Sequence, residues 1–177
     1  MGKYLITGRG GSGKSAICRE LQRRGFPAYD ADEVPGLCRW QDRNSGKFIP
    51  VDPAGDVDFS KVAWAWQDTV LRQLINTRVD IILCGSSSNQ NEYQSLFDTI
   101  FVLMLDPQTH DHRLRTRDFE YGKHPDLRRR LVIHHQMFAD KLIASGAMPI
   151  NTLQPIKNTV DDIVSRCVFS EPNDGTS

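Results

Sequence analysis

Short apolar runs and longer stretches with helical spacing follow one another along the chain. The apolar runs predict five strands, at Tyr4–Thr7, Ala28–Asp30, Ile81–Cys84, Ile100–Leu105 and Met148–Asn151. Because helical patterns separate most of these runs, we expect a mostly parallel sheet wrapped by helices, an α/β fold. Residues 1–170 are expected to form a single domain and residues 171–177 a flexible tail.

Four stretches have the apolar spacing of an amphipathic helix. Ser15–Arg24 ends before Gly25, a residue type that often caps a helix at its C-terminus. Lys61–Asn76 places apolar side chains on one helical face, with Trp66 among them as a core residue. The last two predicted helices are Arg128–Ser145 and Val160–Val168.

Two segments interrupt the alternation of strands and helices. Residues 34–60 are rich in Pro, Gly and Asp, and residues 118–126 separate two groups of basic residues. Long irregular segments in a compact domain are usually binding loops or lids. A surface insertion without function is an equally good interpretation of the first segment taken alone.

One Gly-rich stretch carries a strong chemical signal. Residues 8–15 read GRGGSGKS, which matches G-x-x-x-x-G-K-[ST] at every fixed position, between a predicted strand and a predicted helix. The backbone N–H groups of such a loop form an anion nest, Lys14 can reach terminal phosphates, and the Ser15 hydroxyl can bind a phosphate-bound Mg²⁺. The predicted phosphate-binding residues are Gly8, Gly10, Gly11, Ser12, Gly13, Lys14, Ser15 and Ala16.

Composition and charge narrow the choice of function. The 177 residues include 22 basic and 22 acidic ones, a net charge of +0, so no nucleic-acid partner is expected. No apolar run approaches the length of a membrane span, and the start MGKYLITG leads directly into a strand-like run, so neither a membrane partner nor a secretory signal is expected. The four cysteines are scattered without a C-x-x-C pair, which favours reduced thiols in the cytoplasm. The five histidines show no metal-ligand pattern and are interpreted as surface residues.

Two aspartates follow the second predicted strand. Asp30 and Asp32 lie two residues apart, so their side chains point the same way. If this strand neighbours the first, both emerge beside the Gly-rich loop, where a carboxylate can orient an acceptor hydroxyl, accept its proton or bind a magnesium water. A strand-end turn with solvated acids is a serious alternative for Asp30, whereas a functional role is favoured for Asp32.

Basic residues are concentrated in the second half of the chain. Seven Lys or Arg and three acids lie between residues 112 and 130. On a helix Arg113 and Arg117 share one face, and the three consecutive arginines that start at Arg128 cannot all point at one site. Such a concentration is typical of a site that neutralises a transferring phosphate, and a solvated helix face is the alternative.

Two short motifs hint at a GTPase. FIPVDPAG at residues 48–55 contains D-x-x-G, and NTVD at residues 158–161 weakly resembles a guanine-reading motif. Pro50 and Pro53 do not fit a central strand, and Asn158 is followed by Thr where such motifs usually carry Lys. Chance is the better explanation for both motifs, and a small kinase explains more of the sequence.

The order of these features resembles the nucleoside-monophosphate kinase superfamily, which includes adenylate kinase, shikimate kinase and dephospho-CoA kinase. The features are the Gly-rich loop, YDADE at residues 29–33, Arg-x-x-x-Arg at residues 113–117, a short lid and a final turn with Pro155. The resemblance implies a three-layer α/β/α P-loop fold with a five-stranded parallel sheet. In that fold, residues 34–60 would be a small acceptor-binding insertion and residues 118–126 a lid.

The resemblance also implies roles for single residues. Arg113 would stack on adenine and Pro155 would border the base, while Ser15 and Asp32 would support Mg²⁺. Arg117 would contact phosphate, and one arginine after the lid would act on the transferring group. The implied catalytic residues are Lys14, Asp32, Arg117 and either Arg128 or Arg129.

The acceptor is the least determined part of the predicted site. IILCGSSSNQNEY at residues 81–93 departs from the superfamily pattern, because serines and Asn follow Gly85 and no acidic residue ends this strand. These polar residues could bind an acceptor or cap the following helix. In the wider segment Val34–Trp66, Arg39 could hold an anionic group and Trp64 could stack on a ring. The predicted acceptor-binding residues are Asp30, Asp32, Arg39, Gly85 and Ser86.

These features together predict an ATP- and Mg²⁺-dependent kinase that acts on a small metabolite or nucleotide, as a monomer or homodimer. A GTPase switch and a nucleotide-binding protein without turnover are the alternatives.

Overall fold

The computed structural model describes residues 2–50, 60–116 and 125–170. The strands are β1 (Lys3–Thr7), β2 (Ala28–Asp30), β3 (Cys38–Asp42), β4 (Val62–Trp66), β5 (Ile81–Cys84), β6 (Thr99–Met104) and β7 (Met148–Asn151). The α-helices are α1 (Lys14–Arg23), α2 (Asp68–Asn76), α3 (Pro107–Thr116), α4 (Pro125–Ala144) and α5 (Ile156–Ser165), and a 3-10 helix spans Gln90–Leu96.

The five strands predicted from apolar runs form one sheet in the order β2-β5-β1-β6-β7, and every neighbouring pair is parallel. Most of these strands are buried on both faces, because helices cover both sides of a parallel sheet. On one face α1 and α5 pack against side chains such as Ile6 and Phe101. On the other face α2 packs near Leu5 and α4 near Val102. The predicted three-layer α/β/α architecture is therefore present.

A two-stranded antiparallel hairpin of β3 and β4 lies outside this sheet. It corrects two predictions: residues 34–60 are not wholly irregular, and Lys61–Asn76 is not one helix. Apolar residues four apart, such as Val62 and Trp66, fit one face of a strand as well as one face of a helix. Pairing with β3, which is distant in sequence, selects the strand, and the helix begins only at Asp68. Trp66 is fully buried, as predicted.

The remaining predicted segments are only partly described. Residues 51–59 of the insertion, residues 118–124 of the lid and the tail 171–177 lie outside the described residues. Pro125 and Asp126, predicted as the end of the lid, form the first turn of α4. Among the residues that are described, no helix is long and apolar enough to cross a membrane.

The ends of β2 and β5 approach each other closely where the chain leaves the sheet. The Ala31 N–H donates a hydrogen bond to the Cys84 carbonyl, 2.8 Å away. A Cβ built on Gly85 would lie 2.4 Å from the Cβ of Ala31, which is closer than carbon atoms can pack. Gly85 is therefore required at this position by packing, whatever else it does.

Replacing Gly85 with Ala is expected to lower the free energy of unfolding by about 1–3 kcal/mol, because the added methyl group overpacks a rigid contact. Urea denaturation of Gly85→Ala, Ala31→Gly and the double variant measures this effect. The double variant should lose clearly less than the sum of the single variants, since it removes the opposing methyl group. Additive losses would show that the two positions do not clash.

Candidate active site

The Gly-rich loop between β1 and α1 has the shape of a phosphate-binding loop. Gly11 and Gly13 have φ angles of +84° and +106°, a region that side chains other than Gly rarely adopt. A Cβ on Gly11 would also lie 2.9 Å from Leu114 of α3. Gly13 is the N-cap of α1, and no side chain caps this end of the helix. The N–H groups of the first turn of α1 therefore have no capping side chain to accept their hydrogen bonds. This arrangement fits a bound anion.

Lys14 folds back over the loop it follows. Its Nζ donates to the Gly8 carbonyl at 2.6 Å and to the Arg9 carbonyl at 3.4 Å. Burial of the ammonium group lowers the pKa of Lys14 to about 8, and the nearby Asp32 and Asp30 carboxylates act in the opposite direction. The ammonium therefore lies in a water-poor position that phosphate oxygens would stabilise.

The two aspartates after β2 have different surroundings. Asp30 is 8% exposed, and its Oδ1 accepts the N–H of Asp32 at 3.1 Å, which shapes the turn at the strand end. Asp32 is exposed, and its Oδ1 accepts the indole N–H of Trp64 at 2.8 Å. The prediction that both aspartates emerge beside the phosphate loop depends on β2 lying next to β1. This condition is not met, because β5 lies between the two strands. Both carboxylates nevertheless raise the pKa of Lys14, so they lie within electrostatic reach of the phosphate loop.

Arg113 connects the phosphate loop to the segment after β7. Its guanidinium group donates to the Ser12 carbonyl at 3.2 Å and to the Thr152 carbonyl at 2.7 Å. Pro155, three residues beyond Thr152, is the N-cap of α5. Arg113 and the segment that carries Pro155 are thus adjacent at one side of the loop.

The other predicted basic residues lie between α3 and α4 in the sequence or near the start of α4. Arg117 lies outside the described residues. The Arg128 side chain is 13% exposed and its Nε donates to Asp111 of α3 at 2.5 Å, whereas Arg129 is exposed. Arg115 and Arg128 together lower the pKa of Asp111. Arg128 therefore joins α4 to α3, and the geometry leaves the choice between Arg128 and Arg129 open.

Apart from Asp32, which belongs to both sets, the predicted metal and acceptor residues lie on different segments of the chain. Ser15 is exposed in the first turn of α1, and its hydroxyl and the Asp32 carboxylate are oxygen donors of the kind that Mg²⁺ prefers.

Arg39 is exposed on the hairpin and lines a cavity of about 430 Å³ together with Trp40 and Trp64. Ser86 is half-buried beside Gly85. Ala16 follows Ser15 in the first turn of α1. Among the residues described, no cluster of His, Cys, Asp or Glu could hold a metal by protein ligands alone.

Two histidines support the phosphate loop from outside, which corrects their interpretation as surface residues. His110 of α3 is fully buried, and its Nε2 lies 2.7 Å from the Gly10 carbonyl. His135 of α4 is 1% exposed, and its Nδ1 accepts the N–H of Arg9 at 3.3 Å. The two rings pack edge to face, with centroids 4.8 Å apart.

The protonation state of His135 follows from its surroundings. Burial, aided by the positive charges of neighbouring groups, lowers its pKa to about 4. A neutral ring at neutral pH keeps the Nδ1 lone pair that accepts the Arg9 N–H. Helical spacing could have revealed this burial, because His135 lies four residues from both Leu131 and Ala139 on the buried face of α4.

The loop after β5 holds the hairpin in place, a function that sequence reasoning missed. The Asn89 side chain bonds the backbone of Trp66 twice, accepting its N–H and donating to its carbonyl, each at 3.0 Å. The Ser88 N–H donates to the Trp64 carbonyl at 2.8 Å. Asn89 precedes the 3-10 helix but makes no side-chain capping bond, so the capping interpretation is wrong for this residue.

Comparisons with known proteins agree with this architecture. The profile of a family described as "AAA domain" matches residues 5–133 of the chain. No curated protein matches the sequence. Among solved structures, the chain is similar to a shikimate kinase from Acinetobacter baumannii in complex with shikimate, with a TM-score of 0.60, 17% identity, and 93% of this chain and 92% of that chain covered.

Two further structures show the same fold. A deoxyadenosine kinase from M. mycoides with bound dATP has a TM-score of 0.57 and 14% identity, covering 93% of this chain and 98% of that one. A gluconokinase from Sinorhizobium meliloti 1021 has a TM-score of 0.54 and 14% identity, covering 93% and 90%. The predicted α/β P-loop fold is confirmed.

The pKa of Lys14 predicts that nucleotide binding is coupled to proton uptake. Phosphate oxygens favour the charged ammonium, so binding of MgATP should take up about 0.8 proton at pH 8.5 and about 0.1 at pH 7, given a pKa of about 8 in the free protein. Titration calorimetry in two buffers of different ionisation enthalpy measures this uptake. Lys14→Arg is the control, because its guanidinium stays charged at both pH values. Equal proton uptake by both proteins would contradict the assignment.

The histidine contacts predict a difference between amide and apolar replacements. His110→Leu and His135→Leu each leave one loop backbone group unpaired, so ATP binding should weaken about 5- to 150-fold, the equivalent of about 1–3 kcal/mol for a buried unpaired group. His110→Gln and His135→Asn keep a polar atom near Nε2 or Nδ1 and should stay within about threefold of the wild type. ATP dissociation constants and urea unfolding measure both series. Equal weakening in the amide and leucine variants would show that the rings act only by filling space.

Proposed function

The chain belongs to the AAA domain family, and from the geometry of its site we propose that it is an ATP-dependent phosphotransferase that uses Mg²⁺ and acts on a small-molecule acceptor. The observation that carries this proposal is the position of Asp32. Its carboxylate acts on the Lys14 ammonium from one side and is held by the Trp64 indole of the hairpin from the other. Phosphoryl transfer to a second molecule requires a loop that holds the donor phosphates and a carboxylate that faces the acceptor. The phosphate loop and Asp32, which lies beside the β3–β4 hairpin, fit these two requirements.

The names of the similar structures support the same reaction class. Shikimate kinase, gluconokinase and deoxyadenosine kinase share this fold and, by their names, act on chemically different molecules. They therefore support phosphoryl transfer as the reaction without identifying the acceptor.

The GTPase alternative is not favoured. Asn158, the first residue of its guanine-reading motif, lies in the first turn of α5 and is followed there by buried Thr159 and Val160. Phe48, which precedes its D-x-x-G motif, pairs with Gln41 of the hairpin rather than with the main sheet. Asn158 is thus part of a helix and Phe48 pairs with the hairpin, while the D-x-x-G residues lie outside the described residues.

The loop residues would hold the nucleotide. The backbone N–H groups from Gly8 to Ala16 and the Lys14 ammonium would bind the β- and γ-phosphates, and the Ser15 hydroxyl and Asp32 would support the metal. Mg²⁺ would supply charge neutralisation across the two phosphates. Arg113 and Pro155 would border the adenine, as their shared side of the loop suggests.

Asp32 would orient the acceptor and receive its proton. The Trp64 N–H engages one carboxylate oxygen, which fixes the plane of the group, and the carboxylate has a second oxygen for the acceptor hydroxyl. Arg117 and either Arg128 or Arg129 would spread the negative charge of the transferring phosphate from the lid side. Ser86, Gly85, Arg39 and Asp30 remain proposed contacts of the acceptor.

The compartment, oligomeric state and partners of the protein stay predictions from the sequence. We propose a cytoplasmic monomer or homodimer that has neither nucleic acid nor a membrane as its partner. The four free thiols, Cys18, Cys38, Cys84 and Cys167, and the balanced charge support this proposal.

The decisive experiment measures ATP-dependent ADP release with a panel of acceptors. With a productive acceptor, Asp32→Asn should lower kcat by about 100-fold or more while the dissociation constant for ATP stays within about threefold, because the carboxylate acts in the transfer step. Trp64→Phe keeps an aromatic side chain but removes the N–H, and should lower kcat by about tenfold. A wild-type rate in Asp32→Asn would refute the role of this residue. ADP release that is independent of every acceptor would favour a hydrolase instead.

A further inference from the structure

Residues 85–90, which follow β5, are bonded at both ends to the strand that leads into the phosphate loop. The Gly85 N–H donates to the Ile6 carbonyl at 3.0 Å. The Gln90 Oε1 accepts the Thr7 hydroxyl at 2.7 Å, and both of these side chains are buried. Thr7 is the last residue of β1 and directly precedes the phosphate loop. Residues 85–90 therefore have a fixed position relative to that loop.

The middle of the same segment holds β4 of the hairpin. The Ser88 N–H donates to the Trp64 carbonyl at 2.8 Å. The Asn89 side chain accepts the Trp66 N–H and donates to the Trp66 carbonyl, each at 3.0 Å. The Ser87 hydroxyl donates to the Asn89 Oδ1 at 2.9 Å, which fixes the orientation of the amide. Because the backbone groups of alternate residues in a strand point to the same edge, Trp64 and Trp66 both face this segment.

Asn89 is the side chain that completes this attachment. Without its amide, the N–H and the carbonyl of Trp66 would both need new partners, from water or from a shifted strand. The Ser88 N–H would remain as the other bond from this segment to β4, and it bonds the Trp64 carbonyl alone. Loss of the Asn89 side chain is therefore expected to let β4 move relative to β1.

The hairpin in turn surrounds the Asp32 carboxylate. The Trp64 indole N–H of β4 donates to its Oδ1 at 2.8 Å. On β3, burial and the charge of Asp32 raise the pKa of the Cys38 thiol, so this strand also lies close to the carboxylate. Asp32 is exposed, and exposed side chains change rotamer rapidly unless a contact holds them. The position of the hairpin therefore decides where this carboxylate points.

We propose that Asn89 is a positioning residue for Asp32, holding the hairpin so that the Trp64 indole keeps the carboxylate within electrostatic reach of the phosphate loop. The role in transfer rests on the proposed phosphotransferase function, in which Asp32 orients the acceptor. Residues 85–90 take their position from β1, β4 takes its position from Asn89, and the carboxylate takes its orientation from Trp64. Asn89 acts through Trp64 and is not itself catalytic.

The Trp64 indole N–H reports this coupling without any substrate. A proton–nitrogen NMR spectrum of the isotope-labelled chain resolves the tryptophan indole groups, and the Trp64 signal is the one that Trp64→Phe removes. In the wild type, Asp32→Asn should shift this signal, because a neutral amide replaces the carboxylate acceptor. In Asn89→Ala, the same Asp32→Asn replacement should shift it by less than about half as much.

Asn91→Ala is the matched control, because it makes the same change at an exposed position of the neighbouring 3-10 helix. The Asn91 Oδ1 accepts a hydrogen bond from Gln94 of that helix, so its loss leaves the bonds to β4 in place. In this background Asp32→Asn should shift the Trp64 signal by the wild-type amount.

A milder variant keeps the test decisive if Asn89→Ala does not fold. Ser87→Ala removes the hydroxyl that orients the Asn89 amide and should give a response between those of the wild type and Asn89→Ala. A full response to Asp32→Asn in Asn89→Ala, or in Ser87→Ala where Asn89→Ala does not fold, would overturn the inference. So would the absence of any response in the wild type.

Turnover distinguishes positioning from a general loss of stability. With a productive acceptor, Asn89→Ala should lower kcat by about tenfold in the otherwise wild-type chain but by less than about twofold in the Asp32→Asn chain. The dissociation constant for ATP should stay within about twofold, because the phosphate loop keeps its own contacts. Asn91→Ala should keep the wild-type kcat. A residue with a structural role alone would lower kcat by the same factor in both chains, so equal factors would contradict the positioning role.

The two measurements also separate this inference from the proposed function. If Asn89→Ala loses the indole response and no acceptor stimulates ADP release from the wild type, the transferase proposal fails and Asn89 still positions Asp32. If an acceptor stimulates ADP release and Asn89→Ala keeps the wild-type kcat, the transferase proposal stands and the positioning role in transfer is overturned.

Discussion

The curled backbone of the phosphate loop is the constraint on which the rest of the site depends. A loop with successive N–H groups turned inward leaves its carbonyls to be satisfied from elsewhere. Here the Lys14 ammonium donates to the Gly8 carbonyl, and the His110 ring nitrogen Nε2 lies within hydrogen-bond distance of the Gly10 carbonyl. Arg113 bonds the carbonyl of Ser12. Three side chains, one from the loop itself and two from α3, thus maintain the anion nest.

These supports couple the loop to α3 and α4. His110 and Arg113 lie on α3, and His135 lies on α4, while residues 117–124 connect the two helices. The ring contact between the histidines and the Arg128–Asp111 ion pair join α3 to α4 directly. A shift of either helix would therefore change the hydrogen bonds of the loop.

Burial gives the site an electrostatic bias before any ligand binds. The same desolvation lowers the pKa of Lys14 to about 8 and that of His135 to about 4. The histidine therefore stays neutral and can accept a backbone N–H, whereas the lysine keeps most of its charge at neutral pH because its pKa remains above 7. Asp32 and Asp30 partly offset the cost of that buried charge, and a polyphosphate would offset it further.

The sequence by itself determined the elements whose signals are local. The Gly-rich loop, the five apolar strands and the burial of Trp66 could be predicted because each depends on residue type and on spacing within a few positions. Tertiary structure decided the β3–β4 hairpin, the insertion of β5 between β1 and β2, and the contact of Asp32 with Trp64. Each of these joins residues distant along the chain, and a pattern such as Val62 and Trp66 fits either a helix or a strand until a partner strand selects one. The burial of His110 has the same origin, because the packing of α3 against the loop and against the His135 ring of α4 removes that ring from water.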